Sequence, residues 1–227
     1  MSGVRTGLRT LLACAAVAAA TVPASAAPQP ERERAGNRAT RAAGLEDVRR
    51  AAPAIALDIR YATRRNVTGA RLAGYCRPWA LLRRTAARAL ARVARRLRRR
   101  GLGLLVFDAY RPARATRALV AWARRSGRGE LVGTYIALRS RHNLGSTVDL
   151  TLVRLRDGAR LRMGTGYDEL SERAATYNAR GRPLRNRLIL AGAMRRFGFE
   201  AYDREWWHFE HRSGGPRRLD VTLGCAR

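Results

Sequence analysis

Thr147-Val148-Asp149-Leu150-Thr151-Leu152-Val153, closed by Arg156-Asp157-Gly158, is the stretch that decides the fold. Aliphatic and β-branched residues without a breaker read as a central strand, and Arg-Asp-Gly as a hairpin turn into a return segment over 159–163. Alternation places Asp149, Thr151 and Val153 on one face and Leu150 and Leu152 on the other. An acid on so apolar a strand needs a partner, either a metal ion or one of the chain's many arginines. The approach to the strand is Ser140-Arg141-His142-Asn143-Leu144-Gly145-Ser146. Gly145 lets this loop fold back, so that His142 and Asp149 can reach one ion.

Working outward, Leu102 to Phe107 is a β-type run, and Asp108-Ala109-Tyr110-Arg111-Pro112 turns out of it. Leu82, Ala86, Ala89, Leu90, Val93 and Leu97 recur at helical spacing, which predicts a helix over Leu81–Arg100 with an arginine-covered outer face and Gly101 as its cap. Further helices are expected over Ala113–Arg125, started by Pro112, and over Leu184–Phe197, stopped by Gly198. Leu57 to Tyr61 reads as a short strand or extended entry, and Phe199–Tyr202 and Trp206–Glu210 as two short strands. The class is α+β: one domain with a mostly antiparallel sheet, about three helices packed on it, and a metal site at the sheet face.

The ends of the chain read differently. Arg5 and Arg9, the apolar run Leu11 to Val22 and Pro23-Ala24-Ser25-Ala26 form a secretory signal over 1–26, too short for a membrane span. Leu11-Leu12-Ala13-Cys14 faintly resembles a lipoprotein box, but little apolar sequence precedes Cys14. Residues 27–44 read as a disordered linker, and 45–227 as the folded domain. The expected location is therefore secreted, periplasmic or cell-wall associated, with no transmembrane segment left after cleavage. Cys76 and Cys225 are then an even pair, suited to one disulfide.

All 46 basic residues are Arg, against 17 acids, for a net charge of +29. Loose association with anionic cell-wall polymers follows from such a charge. Specific nucleic-acid binding does not, because no recognition motif accompanies it.

Glu205-Trp206-Trp207-His208-Phe209 brings the second histidine into an aromatic, core-like run. Two imidazoles, one carboxylate and a spare glutamate are what a catalytic zinc requires: three protein ligands, one open position and a base beside it. One conflict stands. On a regular strand residues three apart face opposite sides, so Glu205 joins His208 only if it precedes the strand, near the turn-like Asp203-Arg204. His211, in a charged tail, stays outside the site.

Four blocks in order, Phe107-Asp108-Ala109-Tyr110-Arg111-Pro112, 140–152, Met163-Gly164-Thr165-Gly166-Tyr167-Asp168 and Glu205 to Phe209, resemble the signatures of the zinc D-alanyl-D-alanine dipeptidases, the VanX-type metallopeptidases. The entry segment Leu57 to Thr63 with Asn66 is similar too. The resemblance implies one Zn2+ per chain on His142, Asp149 and His208, with Glu205 as general base and acid and Arg111 on the oxyanion. It also implies that Ser140, Tyr61 and Asp168 hold a small D,D-dipeptide, Asp168 taking its ammonium group. A peptidoglycan D,D- or L,D-carboxypeptidase is the rival within hydrolases. A non-catalytic wall- or polyanion-binding zinc protein is the rival outside them.

Overall fold

The computed structural model describes residues 38–225; the signal sequence and most of the linker read above lie outside them. The end of that linker is ordered, since residues 38–42 are helical and Thr40 is buried. No helix among the described residues is long and apolar enough to cross a membrane.

Seven strands follow: β1 (Leu45–Asp47), β2 (Ala56–Leu57), β3 (Leu81–Arg83), β4 (Leu102–Asp108), β5 (Thr147–Arg154), β6 (Phe199–Ala201) and β7 (His208–His211). Besides the helical segment 38–42, the α-helices are the single turn α1 (Val48–Ala51), then α2 (Arg84–Arg98), α3 (Ala113–Arg125) and α4 (Gly181–Arg195). β1 and β3 form a small antiparallel pair. The main sheet runs β2-β4-β5-β7-β6, antiparallel throughout except for the parallel β2–β4 edge. The α+β reading holds, and β5 is central as its composition demands.

Several boundaries moved: the entry strand ends at Leu57 with a 3-10 turn over Arg60–Ala62, and β7 begins at His208 because Trp206 and Trp207 are turn. Leu81 and Leu82 are strand rather than helix, because β1 captures their backbone groups, and the helix begins at Arg84. Ala86, Ala89, Leu90, Val93 and Leu97 are its buried stripe, as the periodicity required. Helix α4 starts earlier, at Gly181. The return segment after Asp157-Gly158 makes one bridge, Val153 to Arg160, instead of a full strand. α2 and α4 pack on each other, α2 against β4 and α4 against β5 and β6, over a core that includes Leu104, Val106, Leu150, Leu152 and Phe209.

Cys76 and Cys225 form the expected disulfide. It ties down a C-terminal strap whose Leu219 N–H donates to Asn143 O at 2.9 Å and whose Val221 carbonyl accepts from Tyr110 at 3.0 Å. The strap thus backs the two loops that carry Arg111 and His142.

Candidate active site

The site is assembled by strand register. Asp108, at the end of β4, pairs with Asp149 on β5, and Asp149 pairs with His208 on β7. An irregularity in the ladder between Val106 and Asp108 sets that register, as bulges do near functional sites. Two acids directly opposite repel each other. Arg111 offsets this: its NH2 lies 2.8 Å from Asp108 Oδ2 and 3.7 Å from Asp149 Oδ2, while its Nε donates to Asp108 at 2.9 Å.

His142 enters from a short 3-10 turn, Arg141–Leu144. Ser140 caps that turn, its Oγ accepting from the His142 N–H at 3.3 Å. Gly145 closes it at φ 78°, where a Cβ would stand 2.7 Å from Leu45 Cδ2. The glycine is therefore required for both its backbone and its lack of a side chain. His142 Nδ1 lies 2.6 Å from the Ala109 carbonyl oxygen, so this nitrogen carries the hydrogen and Nε2 keeps its lone pair.

His142 Nε2, His208 Nδ1 and Asp149 Oδ1 stand 3.3, 3.1 and 3.3 Å apart, taking His142–His208, His208–Asp149 and Asp149–His142 in turn. A tetrahedron with bonds of about 2.0–2.1 Å has edges of about 3.3–3.4 Å, so three corners of a zinc-sized site are preset. Asp149 Oδ1 is buried and makes no properly directed hydrogen bond, despite both nitrogens being near. Its other oxygen accepts from Tyr167 at 3.0 Å. Burial alone would raise the Asp149 carboxyl, but His142 and then His208 hold it well below the usual carboxylate range. The donor set fits a metal ion.

Glu205 does join this group. Trp206 and Trp207 form a turn ahead of β7, closed by the His208 N–H donating to Glu205 O at 3.0 Å. Residues three apart in a turn share a side, and Glu205 Oε2 lies 3.7 Å from His208 Nδ1. Burial, reinforced by Asp149 and Asp168, pushes its carboxyl up to about 8 against the pull of His208 and Arg111.

The opposite flank is a loop. Tyr61 donates to Asp168 Oδ1 at 2.9 Å, and the Arg111 guanidinium lies 4.7 Å from the Tyr61 ring centre. Asp168 Oδ2 is buried without a partner, and burial raises this carboxyl to about 7. Asp168 adopts φ 60°. Burial also pushes the phenols of Tyr61 and Tyr167 well up, so both remain donors. All eight residues singled out in the sequence line one cavity of about 330 Å³.

Three contributors were missed. Asp108 orients Arg111 and also sits 3.4 Å from His142 Nδ1. Tyr75 donates to Asp108 at 2.5 Å. Buried Arg187 donates to the carbonyls of Met163, Ala175 and Arg173 and so holds the loop bearing Tyr167 and Asp168. Asp108 lay inside a quoted block; Tyr75 and Arg187 carried no local signal.

The D-ala-D-ala dipeptidase family model (Peptidase_M15) matches residues 41–221. The chain belongs to that family. This D-Ala-D-Ala dipeptidase family member is 36% identical over 169 residues to the D-alanyl-D-alanine dipeptidase of Streptomyces coelicolor, covering 67% of this chain and 83% of that one. The Escherichia coli K12 dipeptidase matches at 36% over 160 residues (70% and 79%), and that of Enterococcus faecium at 34% over 168 (67% and 83%). The chain is an enzyme of the peptidase class, and the three donor residues line its cavity.

Proposed function

We propose that this enzyme hydrolyses D-Ala-D-Ala and similar D,D-dipeptides with one zinc ion held by His142, Asp149 and His208. The observation that carries the reading is the convergence of those three donor atoms with Glu205 beside them. When bound, zinc supplies a Lewis acid that polarises a carbonyl oxygen and makes water acidic near neutral pH.

The chain's own residues account for the rest. Asp168, with Tyr61 donating to its Oδ1, receives the substrate's ammonium on its unpartnered Oδ2. Glu205 takes a proton from the attacking water and passes it to the amine nitrogen as the peptide C–N bond breaks. Arg111, pinned by Asp108 and stacked on Tyr61, meets the negative charge that develops on the carbonyl oxygen. Ser140 holds the His142 turn in place and lines the cavity where the peptide lies.

Glu205→Ala tests this assignment. Zinc stoichiometry stays near one while turnover of D-Ala-D-Ala, followed by liquid chromatography, disappears; unchanged turnover defeats it. Cleavage of a stem pentapeptide with none of the dipeptide would instead select the carboxypeptidase reading. Export through residues 1–26, with loose wall association, belongs to the same proposal. Fractionation of the producing cells, with N-terminal sequencing of the mature protein, tests it.

A further inference from the structure

Two guanidinium groups line the cavity, Arg111 and Arg141, and they are bonded to different strands, Arg111 to Asp108 of β4 and Arg141 to Glu210 of β7. Arg111 is committed to Asp108 on the β4 side, near Tyr61 and Asp168. Arg141 Nε donates to Glu210 Oε2 at 2.7 Å, and Glu210 is on β7, opposite Glu200 of the edge strand β6. We propose that Arg141 is the subsite for the substrate's free C-terminal carboxylate, an assignment that rests on the dipeptidase reading above.

The order of groups across the cavity sets the direction of the peptide. Tyr61 and Asp168 lie with Arg111, which is bound to Asp108 of β4; Asp149 and His208 are paired on β5 and β7; and Glu210 lies two residues further along β7, between Thr147 of β5 and Glu200 of β6. A dipeptide with its ammonium at Asp168 and its scissile carbonyl at the donor cluster sends its last residue toward Glu210 and Arg141.

The lengths agree. One residue of extended chain spans about 3.5 Å, and a charge-assisted hydrogen bond adds about 2.8 Å. Glu210 is two residues beyond His208 on the same face of β7, about 6.7 Å along the strand.

The guanidinium is prepared for this role. Two like charges directly opposite each other on β6 and β7 are unfavourable, and Arg141, which feels both Glu210 and Glu200, relieves them. Glu210 takes the Nε edge and so limits the side chain's freedom. The two terminal nitrogens have no partner among the described residues and can present a fork to a carboxylate. Since Arg141 is 61% exposed, water screens the contact and its effect sits at the low end for such pairs.

The test compares D-Ala-D-Ala with its C-terminal amide on the zinc-loaded full chain, wild type against Arg141→Ala and Arg141→Lys. Expected for Arg141→Ala is a KM about three- to fivefold higher for the free dipeptide, with kcat little changed. The amide starts with the higher KM and does not respond to the substitution. Arg141→Lys, which keeps the charge but not the fork, falls between. Calorimetric titration of D-Ala-D-Ala into Glu205→Gln protein should show the same loss of affinity when Arg141→Ala is added. Equal effects on acid and amide, or none on either, overturn the subsite and leave the dipeptidase reading standing. Wild-type protein that cleaves neither compound overturns that reading itself, and the subsite with it.

Discussion

On one side of the site Asp108, Asp149 and His208 stand side by side on three hydrogen-bonded strands. On the other, Tyr167 and Asp168 ride on a loop held by one buried guanidinium that grips three carbonyl oxygens. The first side inherits its spacing from the ladder, where register is set by many bonds at once. The second depends on a handful of separate contacts, with the three from Arg187 prominent among them. The proposed metal ligands, which need ångström precision, lie on or against the strands, whereas Asp168, proposed to receive the ammonium of a small flexible substrate, lies on the loop. Damage to the strand side should therefore show in metal binding and kcat, and damage to the loop in KM and stability.

Asp108→Asn should have the largest effect. It loosens Arg111 and His142 together, so kcat should fall about 10²–10³-fold and zinc affinity about 10–100-fold. Steady-state kinetics with a zinc-buffer titration check both, and a change confined to KM would blur the contrast between the two sides. Arg187→Met, by comparison, leaves the Met163, Ala175 and Arg173 carbonyls without their donor. A stability loss of about 3–5 kcal/mol is expected in urea unfolding, with a raised KM and zinc stoichiometry still near one. Loss of zinc in this variant would show that the loop supports the metal side after all.

Gly145→Ala places a side chain at φ 78° against Leu45. About 2 kcal/mol of stability should be lost, and zinc affinity should weaken as the His142 turn shifts; thermal unfolding with and without zinc separates the two.

The smallest effect concerns pH. Burial keeps the Asp168 carboxyl protonated up to about pH 7 in the fold, whereas an ordinary aspartate ionises near 3.8. The folded chain thus binds more protons across that window, so stability falls as pH rises from about 4 to 7. Asp168→Asn tolerates the positive φ and should flatten part of this fall in metal-stripped protein. An unchanged slope would mean that Asp168 is ionised in the fold.

His142, Asp149, His208, Glu205 and Arg111 were legible because their chemistry is written in residue type and in short blocks. The placement of Glu205 was not, since residues three apart serve one site only if a turn precedes β7. Backbone bonds from distant segments, Thr176 to Asp203 and Trp206 to Ala174, hold that region in place. Asp108 is a plain acid in the sequence and becomes the hinge between Arg111 and His142 only once an irregular ladder sets it beside Asp149. Arg187 is one arginine among 46 until three carbonyl groups from a folded loop surround it.

Local sequence determined the strand that carries Asp149, the helix stripes, the αL glycine and the identity of every candidate ligand, because these depend on side-chain chemistry and near-neighbour sterics. Tertiary structure alone decided which of those groups meet and which arginines act. Pairing register and burial arise between segments far apart in the chain, and no local pattern encodes them.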